Sequence, residues 1–121
     1  MKQVFFAPDR GDVVLLSLSS FLGRWREASP RARSSLRCAA VVLSPQSYNQ
    51  RVGLAVLCPI SARVKGYPFE VPIPPDLPVA GVILADQAVS LDWRACRAER
   101  IGSVPPNVLQ EALGKLRALM S

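Results

Sequence analysis

Residues 37–60 read RCAAVVLSPQSYNQRVGLAVLCPI, and the fold turns on how this stretch divides. Residues 37–44 and 54–60 are short runs rich in Val, Leu and Ala. Each has the length of a strand and falls short of an ordinary helix. Pro45 ends the first run, and the turn-rich segment 46–53 closes on Gly53 before the second begins,. Two strands of one sheet are therefore expected here.

Further strands are expected on both sides. Residues 13–18 form a β-branched and leucine run after Gly11 and Asp12, and are predicted to be a first strand,. A Lys65-Gly66-Tyr67-Pro68 turn leads into 69–73, where Phe69 and Val71 alternate with Glu70 as on a half-buried strand,. Residues 79–84 resume as a strand, and one or two more are expected between 88 and 104. The four prolines within 72–78 have the composition of a linker. Each half of the chain would be too small to bury a stable core alone, so this segment is predicted to be an extended polyproline connection.

From Pro106 the period changes. Val108, Leu109, Ala112, Leu113, Leu116 and Leu119 recur at three- and four-residue steps, which predicts an amphipathic helix with Pro106 in its first turn,. Five or more short strands and one helix make a mainly β (α+β) chain. The expected architecture is a small antiparallel β-barrel with a C-terminal helix packed on it, a single domain over 1–121.

Composition narrows the function. Half of the 121 residues are apolar, and 15 Lys and Arg against 9 Asp and Glu give a formal charge of +6. Such an excess favours a polyanionic partner: nucleic acid, an anionic membrane surface or an acidic protein segment. No apolar run approaches the roughly 20 residues that a spanning helix needs. Pro8, Asp9 and Arg10 follow the short apolar stretch 4–7 too soon for a signal peptide, so a cytoplasmic location is expected,. Cys38, Cys58 and Cys96 lack any CxxC pairing and lie in or beside apolar segments, which predicts small buried hydrophobes,. There is no histidine. That excludes Ser/His and Cys/His nucleophile pairs and any zinc site with imidazole ligands. The acids are scattered singly, so no metal site and no cofactor are expected.

The residues left to carry chemistry are mainly cations and hydroxyls. The long polar stretch 19–36 places Arg24, Arg26, Arg31 and Arg33 ahead of Arg37, with Glu27 as the one acid among them. Arginine forks bind phosphate oxygens, and Trp25 could stack on an unpaired base. A loop this long is often simply solvated, and composition alone leaves the two readings even. Arg37 stands where the loop meets a rigid strand, a good place to hold a phosphate, although a strand-end arginine taken alone is more often a solvated flank. Beside Arg37 the Cys38 thiol is a candidate for a lowered ionisation. Ser61, at the end of the next strand, could donate to a phosphate oxygen or merely cap a turn. Lys65 could reach a phosphate or stay in water. The polar pair Asp86-Gln87 interrupts an apolar region and either braces the fold or reaches a ligand. Trp93 is expected in the core or an interface.

Three longer segments are familiar. CAAVVLSPQSYNQRVG (38–53), CPISARVKGYPFEV (58–71) and GVILADQAVSLDWRA (81–95) resemble, in order and spacing, the MazF/PemK family of toxins. PDRGDVV (8–14) and the helix after GSVPP (102–106) fit as well. The resemblance implies an SH3-like barrel and a homodimer. It also implies a sequence-selective, metal-independent endoribonuclease (an mRNA interferase) acting on single-stranded RNA, and a cognate antitoxin whose acidic tail occupies the same groove. The implied reaction is attack of the RNA 2′-hydroxyl on the adjacent phosphorus, leaving a cyclic phosphate and a 5′-hydroxyl end. By position the family's catalytic arginine falls on Arg37 and its threonine on Ser61. Arg24, Trp25, Arg26, Arg31, Arg33, Lys65 and Gln87 are the expected RNA-binding residues, and Glu27 is the candidate general base.

The chain departs from the family in three places. Ser61 keeps the hydroxyl but lacks the methyl that stiffens χ1. Cys38 replaces the usual proline, and the loop before Arg37 is longer and richer in arginine. Two other readings stay open: a non-enzymatic CcdB-like toxin that binds DNA gyrase, and a catalytically weakened barrel that binds RNA or antitoxin.

Overall fold

The computed structural model describes residues 7–17 and 37–121. The basic stretch with Arg24, Trp25, Arg26, Glu27, Arg31 and Arg33 lies outside the described residues.

The apolar runs form the middle of a bent sheet. β1 (Asp12–Ser17) pairs antiparallel with β2 (Arg37–Val42), from Val13 opposite Val41 to Ser17 opposite Arg37. β2 pairs in turn with β3 (Leu54–Ser61), placing Ala40 opposite Pro59 and Val42 opposite Leu57. On its other side β3 meets two partners. Residues 54–57 pair with β6 (Val89–Asp92), and Ile60 and Ser61 pair with β5 (Val82–Leu84). Pro59 has no N–H to give, and it falls where β3 has left β6 and not yet met β5. β4 (Glu70–Pro72) adds to β5, and β7 (Glu99–Ser103) adds to β1. The strand path is β4-β5-β3-β2-β1-β7, with β6 beside β3. The expected antiparallel architecture is thus present, but among the described residues β4 and β7 do not meet, and the barrel is not closed by strand pairing.

Both faces of the bend are buried, which is why the central strands read as continuous apolar runs rather than alternating ones. Val14, Leu16, Cys38, Ala40, Val42, Leu57, Leu91 and Trp93 pack on one face. Val13, Val41, Cys58, Ile60, Val71 and Ile83 pack on the other, beneath Val108 and Ala112 of the helix α2 (Pro106–Met120). Pro106 occupies the first turn of α2, as its missing N–H allows,. No helix among the described residues is long and apolar enough to cross a membrane.

Three local expectations need correction. The segment expected to be turn-rich holds a short helix, α1 (Gln46–Val52), ended by Gly53 at φ 85°. Tertiary bonds fix it. Asn49 is fully buried, donates to the carbonyls of Pro8 at 2.7 Å and Ser44 at 2.9 Å, and accepts from the Ser44 hydroxyl at 2.6 Å. Its own carbonyl accepts from the Trp93 indole N–H at 2.8 Å. The proline-rich connection is folded back rather than extended, since Ile73 N–H donates to Gly81 O at 2.9 Å across the base of a loop joining β4 to β5. Glu70, expected to point outward from its strand, is buried.

Candidate active site

The site is built where β3 ends. Ser61 is the last residue of β3, lies opposite Val82, and is only 3% exposed. A Cβ on Gly81 would overlap the Ser61 carbonyl oxygen, and Gly81 has a φ of +124°. Glycine at 81 is therefore what lets β5 approach the end of β3. The Ser61 hydroxyl accepts the Arg63 N–H at 3.0 Å, while its contact with the Arg63 carbonyl is a long 3.4 Å. The turn-capping alternative thus describes its acceptor side. Its hydrogen is held loosely and can pass to a phosphate oxygen.

Ser61, Lys65 and Gln87, three of the predicted residues, line one open pocket together with Arg63, Tyr67 and Glu70, above the buried Leu84. Arg63 and Lys65 are exposed and make the pocket's rim positive. Glu70 holds the local chain in shape, because its carboxylate accepts the backbone N–H groups of Lys65 and Gly66, both at 2.9 Å. The Tyr67 hydroxyl donates to the Asp86 carboxylate at 2.9 Å. Desolvation and the Asp86 carboxylate push this phenol up to about 12, so it stays neutral,. Of the pair Asp86-Gln87, then, Asp86 braces the site and Gln87 faces it.

Arg37 lies outside this lining. It opens β2, whose pairing with β3 starts at Ala40 opposite Pro59, while Ser61 pairs with Val82 of β5. The Arg37 guanidinium bonds to Glu99 at 2.9 Å, with the two side chains 39% and 63% exposed. Ion pairs this exposed contribute only about 0–1 kcal/mol, so a phosphate can share or displace Glu99. The expectation of a lowered Cys38 thiol beside Arg37 is corrected. The thiol is 3% exposed, and burial, reinforced by neighbouring Cys96, pushes it up to about 12. Cys58 and Cys96 are buried thiols as well, and Trp93 is in the core.

The sequence reading missed Arg63, Tyr67, Glu70 and Glu99. Arg63 had a signal, because Ser61, Arg63 and Lys65 recur at two-residue steps and an extended segment sets such residues on one side. Glu99 had none, being 62 residues from the arginine it meets.

A bent antiparallel sheet carrying a helix and a cationic, hydroxyl-bearing pocket at a strand end defines a small β protein equipped to bind an anion. Residues 9–120 match the family described as PemK-like, MazF-like toxin of type II toxin-antitoxin system, and the chain belongs to that family. The "Endoribonuclease toxin MazF" of Escherichia coli (strain K12) is 36% identical over 115 residues, covering 95% of this chain and 96% of that protein. The crystal structure of MazF from Deinococcus radiodurans is 43% identical, with a TM-score of 0.83 over 96% of this chain and 98% of its own. A MazE–MazF crystal structure from the same organism matches at 42% identity and TM-score 0.81, over 97% of this chain and 98% of that one.

Proposed function

We propose that this chain is a sequence-selective, metal-independent endoribonuclease toxin that cleaves single-stranded RNA and is neutralised by a cognate antitoxin. The observation that carries the reading is the pocket at the end of β3, where the Ser61 hydroxyl, Arg63, Lys65 and Gln87 converge in a chain of the MazF-like family. Relatives named as endoribonucleases, and one solved together with MazE, support the activity and the kind of partner. The active species is a homodimer of single 1–121 domains acting in the bacterial cytoplasm. An acidic antitoxin segment would compete with RNA for the positive rim.

The chemistry follows from the groups present. The RNA 2′-hydroxyl gives up its proton and attacks the adjacent phosphorus, and the 5′-oxygen leaves and takes a proton from Arg37 or from water, giving a cyclic phosphate and a 5′-hydroxyl end. Charge grows on the phosphoryl oxygens, where a fixed guanidinium and a hydroxyl donor stabilise it most. Arg37 supplies the first and Ser61 the second. Lys65 and Gln87, with Arg24, Trp25, Arg26, Arg31 and Arg33, hold the flanking nucleotides, and Glu27 is the candidate base for the 2′-proton.

Incubation with a long single-stranded RNA in EDTA, followed by mapping of the ends, tests this reading. Cuts within a short recurring sequence, each with a cyclic phosphate and a 5′-hydroxyl, are expected. Uncut RNA that still binds would favour the weakened barrel, and gyrase poisoning without RNA cleavage would favour the CcdB-like reading.

A further inference from the structure

The outer wall of the pocket is the segment 65–70, and part of what fixes it comes from the helix. We propose that Lys115, on α2 and outside the pocket, is a positioning residue for RNA binding. Its ammonium, together with the Glu70 carboxylate, holds segment 65–70 so that Lys65 and Tyr67 face the substrate. The inference rests on the endoribonuclease reading above.

The Lys115 Nζ donates to the carbonyls of Pro68 at 2.6 Å and Glu70 at 3.1 Å, and stands 3.5 Å from the Glu111 carboxylate. Each of the three ammonium hydrogens thus has an acceptor within reach. One residue of the same segment closes the loop from within, since the Glu70 carboxylate takes the N–H groups of Lys65 and Gly66 at 2.9 Å each. Ladder pairing with β5 begins only at Glu70. Before that point, among the described residues, the segment has one further main-chain tie to the sheet side, the 3.0 Å bond from Ala85 N–H to Phe69 O. Its main chain therefore depends on two charge-assisted sets of bonds, which are stronger than neutral ones, beside the side-chain bond from the Tyr67 hydroxyl to Asp86. Ser61, in contrast, is held by its own strand pairing with β5. Loosening 65–70 should weaken contacts away from the reacting phosphorus, which raises KM more than it lowers kcat.

The test compares the full-length wild type with Lys115→Met, which keeps the alkyl stem and loses the donors, and Lys115→Arg, which restores donors. Hydrogen exchange reads the Lys65 and Gly66 amides directly, and cleavage of a short RNA reads function. In Lys115→Met we expect those two amides to exchange at least about tenfold faster while the β2 and β3 amides stay protected. KM should rise about five- to tenfold with kcat within about twofold, and Lys115→Arg should recover both. Unchanged exchange at Lys65 and Gly66, acceleration spread over the whole chain, or a fall in kcat at constant KM would each overturn the proposal. If the wild type itself cuts no RNA, the endoribonuclease reading fails separately, and the exchange of those two amides still decides whether Lys115 braces the segment.

Discussion

Ser61 and Arg37 illustrate how much a single side chain's surroundings decide. The Ser61 hydroxyl has its acceptor side committed to the Arg63 N–H and its donor side nearly idle, so the function it can lose is donation. Ser61→Ala should reduce single-turnover RNA cleavage by about 10²-fold, in the range seen for loss of one preorganised donor. Ser61→Thr should retain activity, because a β-branch restricts the hydroxyl's rotamers. An alanine variant as active as wild type would remove Ser61 from the mechanism. Arg37→Ala should cost a similar factor, and the loss of its exposed bond to Glu99 should cost little stability,. Circular dichroism beside the cleavage assay checks both halves of that statement. At this scale the sequence is a partial guide. It points to Ser61, Lys65 and Gln87, which do line one pocket. The buried carboxylate of Glu70 is invisible in it, because a glutamate next to Phe69 and Val71 looks like an ordinary outward residue until its main-chain donors are known.

The elements are legible where burial alone sets their pattern, and illegible where long-range bonds do. β1, β2 and β3 sit close to the runs that announce them, and α2 follows its apolar period. α1 escapes because its anchor, the Asn49 side chain, is satisfied by Pro8 and Ser44 and only then makes a helix of a turn-like composition. β5 is shorter than expected, starting at Val82 because Gly81 takes a φ of +124°. That glycine yields a prediction for the element. In Gly81→Ala the new Cβ meets the Ser61 carbonyl carbon and oxygen, and neither backbone atom can move without breaking the β3–β5 pairing. A loss of about 2–4 kcal/mol is expected from strain and overlap together. Urea denaturation measures it, and a midpoint equal to wild type would show that β5 does not press on β3 as described.

The molecule combines a largely apolar core among the described residues with a formal excess of positive charge. Cys38 and Cys58 are each pushed from an ordinary value of 9.0 up to about 12 by burial. A group whose folded value is raised contributes stability in full below its unfolded value and loses it as pH climbs toward the folded one. Stability should therefore decline between about pH 9 and pH 12, and Cys38→Ala should flatten part of that decline in urea titrations at successive pH values. Outside, the formal charge of +6 predicts binding to RNA through phosphates. Neutralising Arg24, Arg26, Arg31 and Arg33 together should reduce the salt dependence of binding by about 0.7 log unit in slope per lost contact. A fluorescence titration at several salt concentrations would detect it, and an unchanged slope would mark those arginines as bystanders. The central claim, cleavage without metal or imidazole, is tested most directly by single-turnover cutting of a short fluorescent RNA with and without EDTA, from about pH 5 to about pH 10. The account predicts equal rates with and without chelator. It also predicts a profile that rises with pH, or shows one step that moves in Glu27→Gln and stays put in Cys38→Ser. Activity abolished by EDTA and restored by magnesium would contradict it.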